Sequence, residues 1–165
     1  GHEATAVLDG GLQQWQRPLE SGAPQTPNPS DYQPKQSLTR LWQVQDVEHN
    51  LSQPTHLLVD ARSAERFRGE QEPIDPVAGH IPGAICLPST DNLAPSGLFK
   101  TAEDLGRRFA NIMSTHTVCY GGSGVTATHN ILAMRLAGLA EPVLYADSWS
   151  GWITDSHRPI AASDT

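Results

Sequence analysis

The most restrictive stretch of the chain is Tyr120-Gly-Gly-Ser-Gly-Val-Thr126, where three glycines and two hydroxyl residues separate an apolar run from a helical pattern. A buried strand that breaks into such a loop and then into a helix is a β/α unit of a parallel sheet. Backbone N–H groups exposed by the loop, at a helix start whose dipole points toward them, form a cradle for an anion. The glycines, at 121, 122 and 124, do not have dinucleotide-fingerprint spacing, and no Gly-Lys-Ser/Thr follows to make a P-loop. A cysteine-phosphatase loop needs an arginine near position 125 or 127, where the chain has Val125 and Ala127.

The same alternation extends over most of the chain and predicts an α/β fold with a central parallel sheet flanked by helices over about residues 37–160. Leu57–Asp60, the run at 84–87 closed by Pro88, and Thr117–Tyr120 read as buried strands. Thr101 with an acid three residues on, at Asp104, opens a helix through about Ile112, whose apolar positions are Leu105, Phe109 and Ile112. A second helix runs from near Gly124 to Gly138, where glycine can take the left-handed cap conformation. Near the start, the run at 5–8 is a short strand candidate, followed by a turn at 9–11 and a short helix containing Trp15. Strand, turn and tryptophan helix recur at the other end, in residues 142–145, 146–148, Trp149 and Trp152. Between them, residues 21–30 carry three prolines and no apolar periodicity, the composition of a connector. The division that follows is a terminal remnant of a preceding domain at 1–20, a linker at 21–36 and a complete domain at 37–165. Residues 1–34 are expected as an extended arm with one short helix, set against the main domain or a neighbouring chain so that Val7, Leu8, Leu12 and Trp15 are covered.

Charge and composition narrow the partners. A net charge of −7 opposes the phosphate attraction on which nucleic-acid binding depends. Apolar runs of only a few residues fall far short of the roughly 20 that span a bilayer. Two cysteines, Cys86 and Cys119, each within an apolar stretch, do not make a secreted disulfide framework, and a reducing cytoplasm is the expected setting. No His, Cys or carboxylate group has the close spacing of a sequence-local metal site, and no cofactor is implied.

Six ordered segments carry a family resemblance: Val59-Asp-Ala-Arg-Ser63, Arg66-Phe-Arg-Gly69, Glu72-Pro-Ile-Asp-Pro76, Gly79-His-Ile-Pro-Gly-Ala84, Gly122-Ser-Gly-Val-Thr-Ala127 and Ser148-Trp-Ser-Gly-Trp152. Together they resemble the C-terminal domain of two-domain rhodanese-type sulfurtransferases. The segment Val7-Leu-Asp-Gly-Gly-Leu12 with Trp15 is similar to the end of that family's N-terminal domain. The resemblance implies a rhodanese-like fold and a sulfur relay. In that relay a loop cysteine thiolate takes sulfane sulfur from thiosulfate or 3-mercaptopyruvate, forms a persulfide, and passes the sulfur to a thiophilic acceptor such as cyanide, a thiol or a protein. It implies donor binding by Arg66 and by the loop residues Gly122, Ser123, Gly124, Val125 and Thr126, and a missing N-terminal rhodanese domain as a further partner. Hydroxyls at Ser123 and Thr126 can cap the helix and donate to an anion.

The chain departs from the family pattern at the decisive position. Aligned on Gly122–Thr126, the catalytic cysteine falls on Gly121, which has no side chain to carry sulfur. A second arginine common in mercaptopyruvate-type members is replaced by Ile74, and the basic loop side chains of thiosulfate-type members are replaced by Gly122 and Ser123. Cys119, two residues before Gly121, is a conceivable displaced nucleophile, against a default of an inert strand thiol. Asp60 and Arg62 read as a loop-anchoring ion pair, His80 as a turn anchor, His129 as a packing residue, and Trp149 and Trp152 as buried, with walls of the pocket as their alternative role. Two functions stand open: a sulfurtransferase domain whose cysteine has been lost, and a catalytically inactive module that binds a small anion or a protein partner. A scaffold without a ligand leaves the glycines and hydroxyls without a shared purpose.

Overall fold

A computed structural model describes residues 2, 4–24, 26 and 28–163. Five parallel strands form one sheet in the order β1-β5-β4-β2-β3: β1 (Leu41–Trp42), β2 (Leu57–Asp60), β3 (Ile85–Cys86), β4 (Thr117–Tyr120) and β5 (Val143–Tyr145). Between and after them run α1 (Val44–Ser52), α2 (Ala64–Phe67), α3 (Ala102–Arg108), α4 (Val125–Leu136) and α5 (Ser148–Trp152). The predicted α/β architecture is therefore the observed one.

Register divides the core. Leu58 pairs with Val118 and Val59 with Cys119. Because side chains alternate across a strand, the first pair points to one face and the second to the other. Leu58, Val118, Tyr120, Val143 and Tyr145 pack with Val47, Ile81, Trp149 and Trp152. Val59 and Cys119 pack instead with Leu105, Phe109, Ala127, Ile131, Ala133 and Met134. Burial on both faces is why β2 and β4 read as unbroken apolar runs.

Both ends of α4 lie where the glycines put them. Gly124 is its N-cap at φ 82°, and a Cβ there would meet Ala146 O at 2.6 Å, so both the backbone and the space demand glycine. At the other end Gly138 is left-handed, with Gly138 N bonding Arg135 O and Leu139 N bonding Met134 O, a Schellman cap. Thr101 caps α3 as expected, its hydroxyl accepting from Asp104 N at 3.1 Å. The helix ends at Arg108, however, rather than near Ile112. Bonds from Ala110 N to Arg107 O and from Ile112 N to Phe109 O tighten the chain into turns that still press Ile112 on the same core.

The run at 5–8 forms no strand, because no described residue offers it a ladder, and Gly11–Gln14 is a 3-10 turn with Trp15 just beyond it. The arm touches the domain through Asp9, whose carboxylate accepts from Phe99 N at 3.0 Å, and Gln14, which donates to Ser96 O at 3.3 Å. Its apolar side chains are not covered as expected: Val7 and Leu12 stay 69% and 72% exposed, and Leu8 and Trp15 about half so. Trypsin is therefore expected to cut first after Lys35, the bond after Arg17 being barred by Pro18, leaving a core whose melting temperature stays within about 2 °C of the intact chain. Protection of Lys35 in the monomer would show that the arm is packed.

Candidate active site

The loop after β4 is strapped to the start of α5. Gly121 N–H donates to Ser148 Oγ at 3.0 Å, and that hydroxyl donates to Tyr145 O at 3.0 Å. Trp149 N donates to Gly121 O and Ser150 N to Gly122 O, both at 2.9 Å. Ser148 holds this position at φ 55°, an uncommon conformation for a residue with a side chain. Its buried hydroxyl bridging two backbone groups compensates that strain. Beyond the strap, the first N–H groups of α4 lack intrahelical acceptors, as at every helix start, and face the loop with the positive end of the dipole.

Two arginines and three carboxylates stand beside it. Arg62 is wholly buried, forked onto Asp60 at 2.7–3.1 Å, bonded to Gly79 O at 2.6 Å and Glu72 at 3.3 Å, with its guanidinium 4.8 Å from the Trp149 ring centroid. Burial opposes its charge, but the hydrogen bond and charge of Asp60 outweigh that and raise its pKa. Arg66 is forked onto Glu72, with Nη2–Oε1 at 2.6 Å, and Nη2 also donates to Asp75 at 3.0 Å. Asp75 in turn accepts from Ser150 Oγ at 2.7 Å. A Cβ on Gly122 would lie 3.4 Å from Arg66 Nη1, so this guanidinium overhangs the loop.

Burial works against the Glu72 carboxylate, yet hydrogen bonds from Arg66 and from the backbone N–H groups of Asp75 and Ile74 hold its pKa below the ordinary 4.5. A depressed folded-state pKa gives stability that is fully present above that ordinary value and lost as pH falls through the folded one. Glu72→Gln is expected to lower stability at neutral pH and to flatten the loss below about pH 4.5. Melting curves from pH 7 to 3 check this, and an unchanged acid slope would refute it.

At Gly121, an added Cβ would lie 2.2 Å from Thr126 Oγ1, with the next neighbours, Ala127 N and Thr126 Cβ, no closer than 3.4 Å. The backbone there is outside the left-handed region, so the close obstacle to a Cβ is the end of a rotatable side chain. That hydroxyl is buried and has no hydrogen-bond partner among the described residues. Ser123 and Val125 face solvent on the rim.

The structure places the other singled-out residues elsewhere. Cys119 is fully buried between Val59 and Leu144, and burial pushes its thiol pKa up to about 12. Cys86, half-buried, is likewise raised to about 12 by burial and by Asp60. His80 stacks on Phe67 at 3.6 Å with Nδ1 2.7 Å from Phe67 O, and His129 stacks on Phe99 with Nδ1 3.1 Å from Asn92 Nδ2. Trp149 and Trp152 are buried, donating to Val77 O and Pro159 O. No cluster of metal-ligating side chains occurs among the described residues, and no described helix is long and apolar enough to cross a membrane. Two cavities of about 380 and 460 Å³ lie beside α1 and the 157–159 segment, and no residue of the 121–126 loop lines either. Glu72, Asp75, Ser148 and Ser150 were not singled out from sequence. Their only signal there is membership of the motifs that also hold Arg66 and the tryptophans.

Residues 43–155 match the model of the Rhodanese-like domain family. The chain is 47% identical over 165 residues to a probable 3-mercaptopyruvate sulfurtransferase of Pseudomonas aeruginosa, covering 96% of this chain and 58% of that protein. It is 38% identical to the human 3-mercaptopyruvate sulfurtransferase, covering 92% and 54% respectively. The chain thus spans little more than half the length of these relatives. A structure of an EanB variant in complex with ergothioneine superposes with a TM-score of 0.82 at 21% identity, over 95% of this chain and 41% of that one, a likeness of fold. The Tum1 protein of Saccharomyces cerevisiae superposes at 0.65 with 25% identity, over 76% and 47%.

Proposed function

We propose, from the premise that this chain belongs to the rhodanese-like domain family, that it is a sulfurtransferase domain of the thiosulfate/3-mercaptopyruvate type with glycine at its nucleophile position. The observation that carries this reading is the space at Gly121. A Cβ there would sit on the loop, against the start of α4, with the Thr126 hydroxyl as the close atom to displace. In the relay, a thiolate at that position attacks the sulfane sulfur of thiosulfate, the S–S bond breaks, and sulfite leaves with the bonding pair. With 3-mercaptopyruvate the C–S bond breaks instead, and the carbon takes a proton to leave as pyruvate. The persulfide then yields its outer sulfur to cyanide, a thiol or a protein thiol, and the thiolate returns. Arg66 contributes a fixed positive charge for the anionic donor, and Gly122, Ser123, Gly124, Val125 and Thr126 contribute the loop and helix-start donors.

As it stands, the chain has no thiolate at the cradle, so the second reading, a module that holds a small anion without turnover, rests on Gly121 itself. The substitution Gly121→Cys, assayed for sulfur transfer to cyanide and for a protein persulfide by mass spectrometry, separates the two. Turnover supports the sulfurtransferase reading, and an inert folded variant supports the module. Residues 1–20 are proposed as the end of a preceding rhodanese-like domain, 21–36 as a linker and 37–165 as the domain described. The apolar arm and the greater length of the relatives support this division. A cytoplasmic setting accords with the two free cysteines, and the relay as written uses no cofactor.

A further inference from the structure

We infer that Asp75 is a specificity-determining residue: by adding a negative charge to the Arg66–Glu72 pair beside the loop, it favours a singly charged carboxylate donor over the dianion thiosulfate. This rests on the reading of the loop as an anion cradle, and it adds which charge class the cradle takes. Of the Arg66 donors, Nε is spent on both Glu72 oxygens at 3.1 Å, and Nη2 is spent on Glu72 and on Asp75. What overhangs the loop is Nη1, 3.4 Å from where a Gly122 Cβ would sit. Glu72 alone would make Arg66 a neutral pair. Asp75 adds a further negative charge, and no basic side chain in Gly122, Ser123 or Gly124 offsets it.

The placement of Asp75 makes this charge felt. Its side chain is 8% exposed, so solvent screens it weakly. Ser150 ties it to the loop, donating its hydroxyl to Asp75 and its N–H to Gly122 O. Glu72 serves a different purpose, because it also holds Arg62 and two backbone N–H groups. Removing it dismantles the turn, whereas the Asp75 carboxylate reaches only Arg66 and Ser150 among the described residues. Asparagine at this position can keep both bonds, with Oδ1 accepting from Arg66 and Nδ2 donating to Ser150 Oγ, while the charge disappears.

A charge acts on a ligand in proportion to the ligand's own charge, so the factor gained by a dianion should be the square of that gained by a monoanion in the same place. The test titrates the intact chain with sodium thiosulfate and with sodium pyruvate at matched ionic strength, following the backbone amides of residues 121–127 by NMR. In the parent chain pyruvate is expected to bind more tightly. Asp75→Asn should tighten pyruvate about threefold and thiosulfate about tenfold, and Asp75→Ala should reproduce that relation if the effect is charge. Ser150→Ala, which removes a hydrogen bond but no charge, should leave the ratio unchanged. Equal factors for the two anions, or a ratio moved as much by Ser150→Ala, would overturn the assignment of Asp75 and leave the cradle standing. If neither anion shifts the loop amides in any variant, the cradle reading and this one fall together.

Discussion

Gly121→Cys is expected to turn a chain with negligible sulfur transfer from thiosulfate or 3-mercaptopyruvate into one whose turnover is greater on the order of 10³-fold or more. The new thiol would stand where the helix-start donors converge, and a thiolate so placed has its charged form favoured near neutral pH. Its Cβ cannot coexist with Thr126 Oγ1 at 2.2 Å, so the threonine must change rotamer. Threonine in a helix has two accessible ones, and the displaced hydroxyl becomes free to bond the donor or the persulfide. Adding Thr126→Ala should therefore relieve crowding, raising stability relative to Gly121→Cys alone, yet lower turnover. Arg66→Ala in the cysteine background should weaken the donor step by about 1.5–3 kcal/mol, the worth of a charge-assisted contact. Cys119→Ala should leave turnover nearly unchanged, because that thiol is sealed in the core with its pKa pushed up to about 12. Turnover by the unsubstituted chain that Cys119→Ala abolishes would make Cys119 the nucleophile and overturn the assignment.

What could be read in the sequence follows from how each part is stabilised. β2 and β4 are buried on both faces, so their runs are continuously apolar, and α4 is bracketed by glycines whose positive φ has a local cause. β1 is two residues long, and α1 follows Gln43, whose N–H donates to the Asp46 carboxylate at 2.7 Å although glutamine is not a usual N-cap residue. Neither carries a pattern strong enough to announce itself. The run at 5–8 misled for the opposite reason, since it has strand composition and no described partner. In the site, the loop was legible because glycines and hydroxyls before a helix are a local signal. The network around Arg66 was not, because its members meet only after folding: Ser150 is 75 positions from Asp75, and Ser148 is 27 from Gly121. By composition alone a carboxylate at 72 or 75 is a solvated surface charge.

Arg62 shows how closely that network is bound to the fold. Arg62→Met is expected to destabilise the protein by about 3–5 kcal/mol, a large part of the 5–15 kcal/mol that typically separates folded from unfolded chains. The aliphatic replacement keeps packing against Trp149, so the loss isolates the charge. Asp60 would remain fully buried without its fork, Gly79 O would lose a donor at 2.6 Å, and Glu72 would lose one of its two arginines. Most of the deficit is the cost of the charge left behind. The double substitution Asp60→Asn/Arg62→Met should therefore recover stability, with a coupling of about 1–3 kcal/mol in a double-mutant cycle from urea unfolding. The surviving Asp60 side-chain contact with Arg62 N, at 2.9 Å, can be kept by asparagine. Because Glu72 links Arg62 to Arg66, anion binding at the loop should fall in the single variant even under conditions where it remains folded. A loss below about 1 kcal/mol, or single and double variants equally unstable, would mean that Arg62 is tolerated rather than required and that Arg66 is positioned without it.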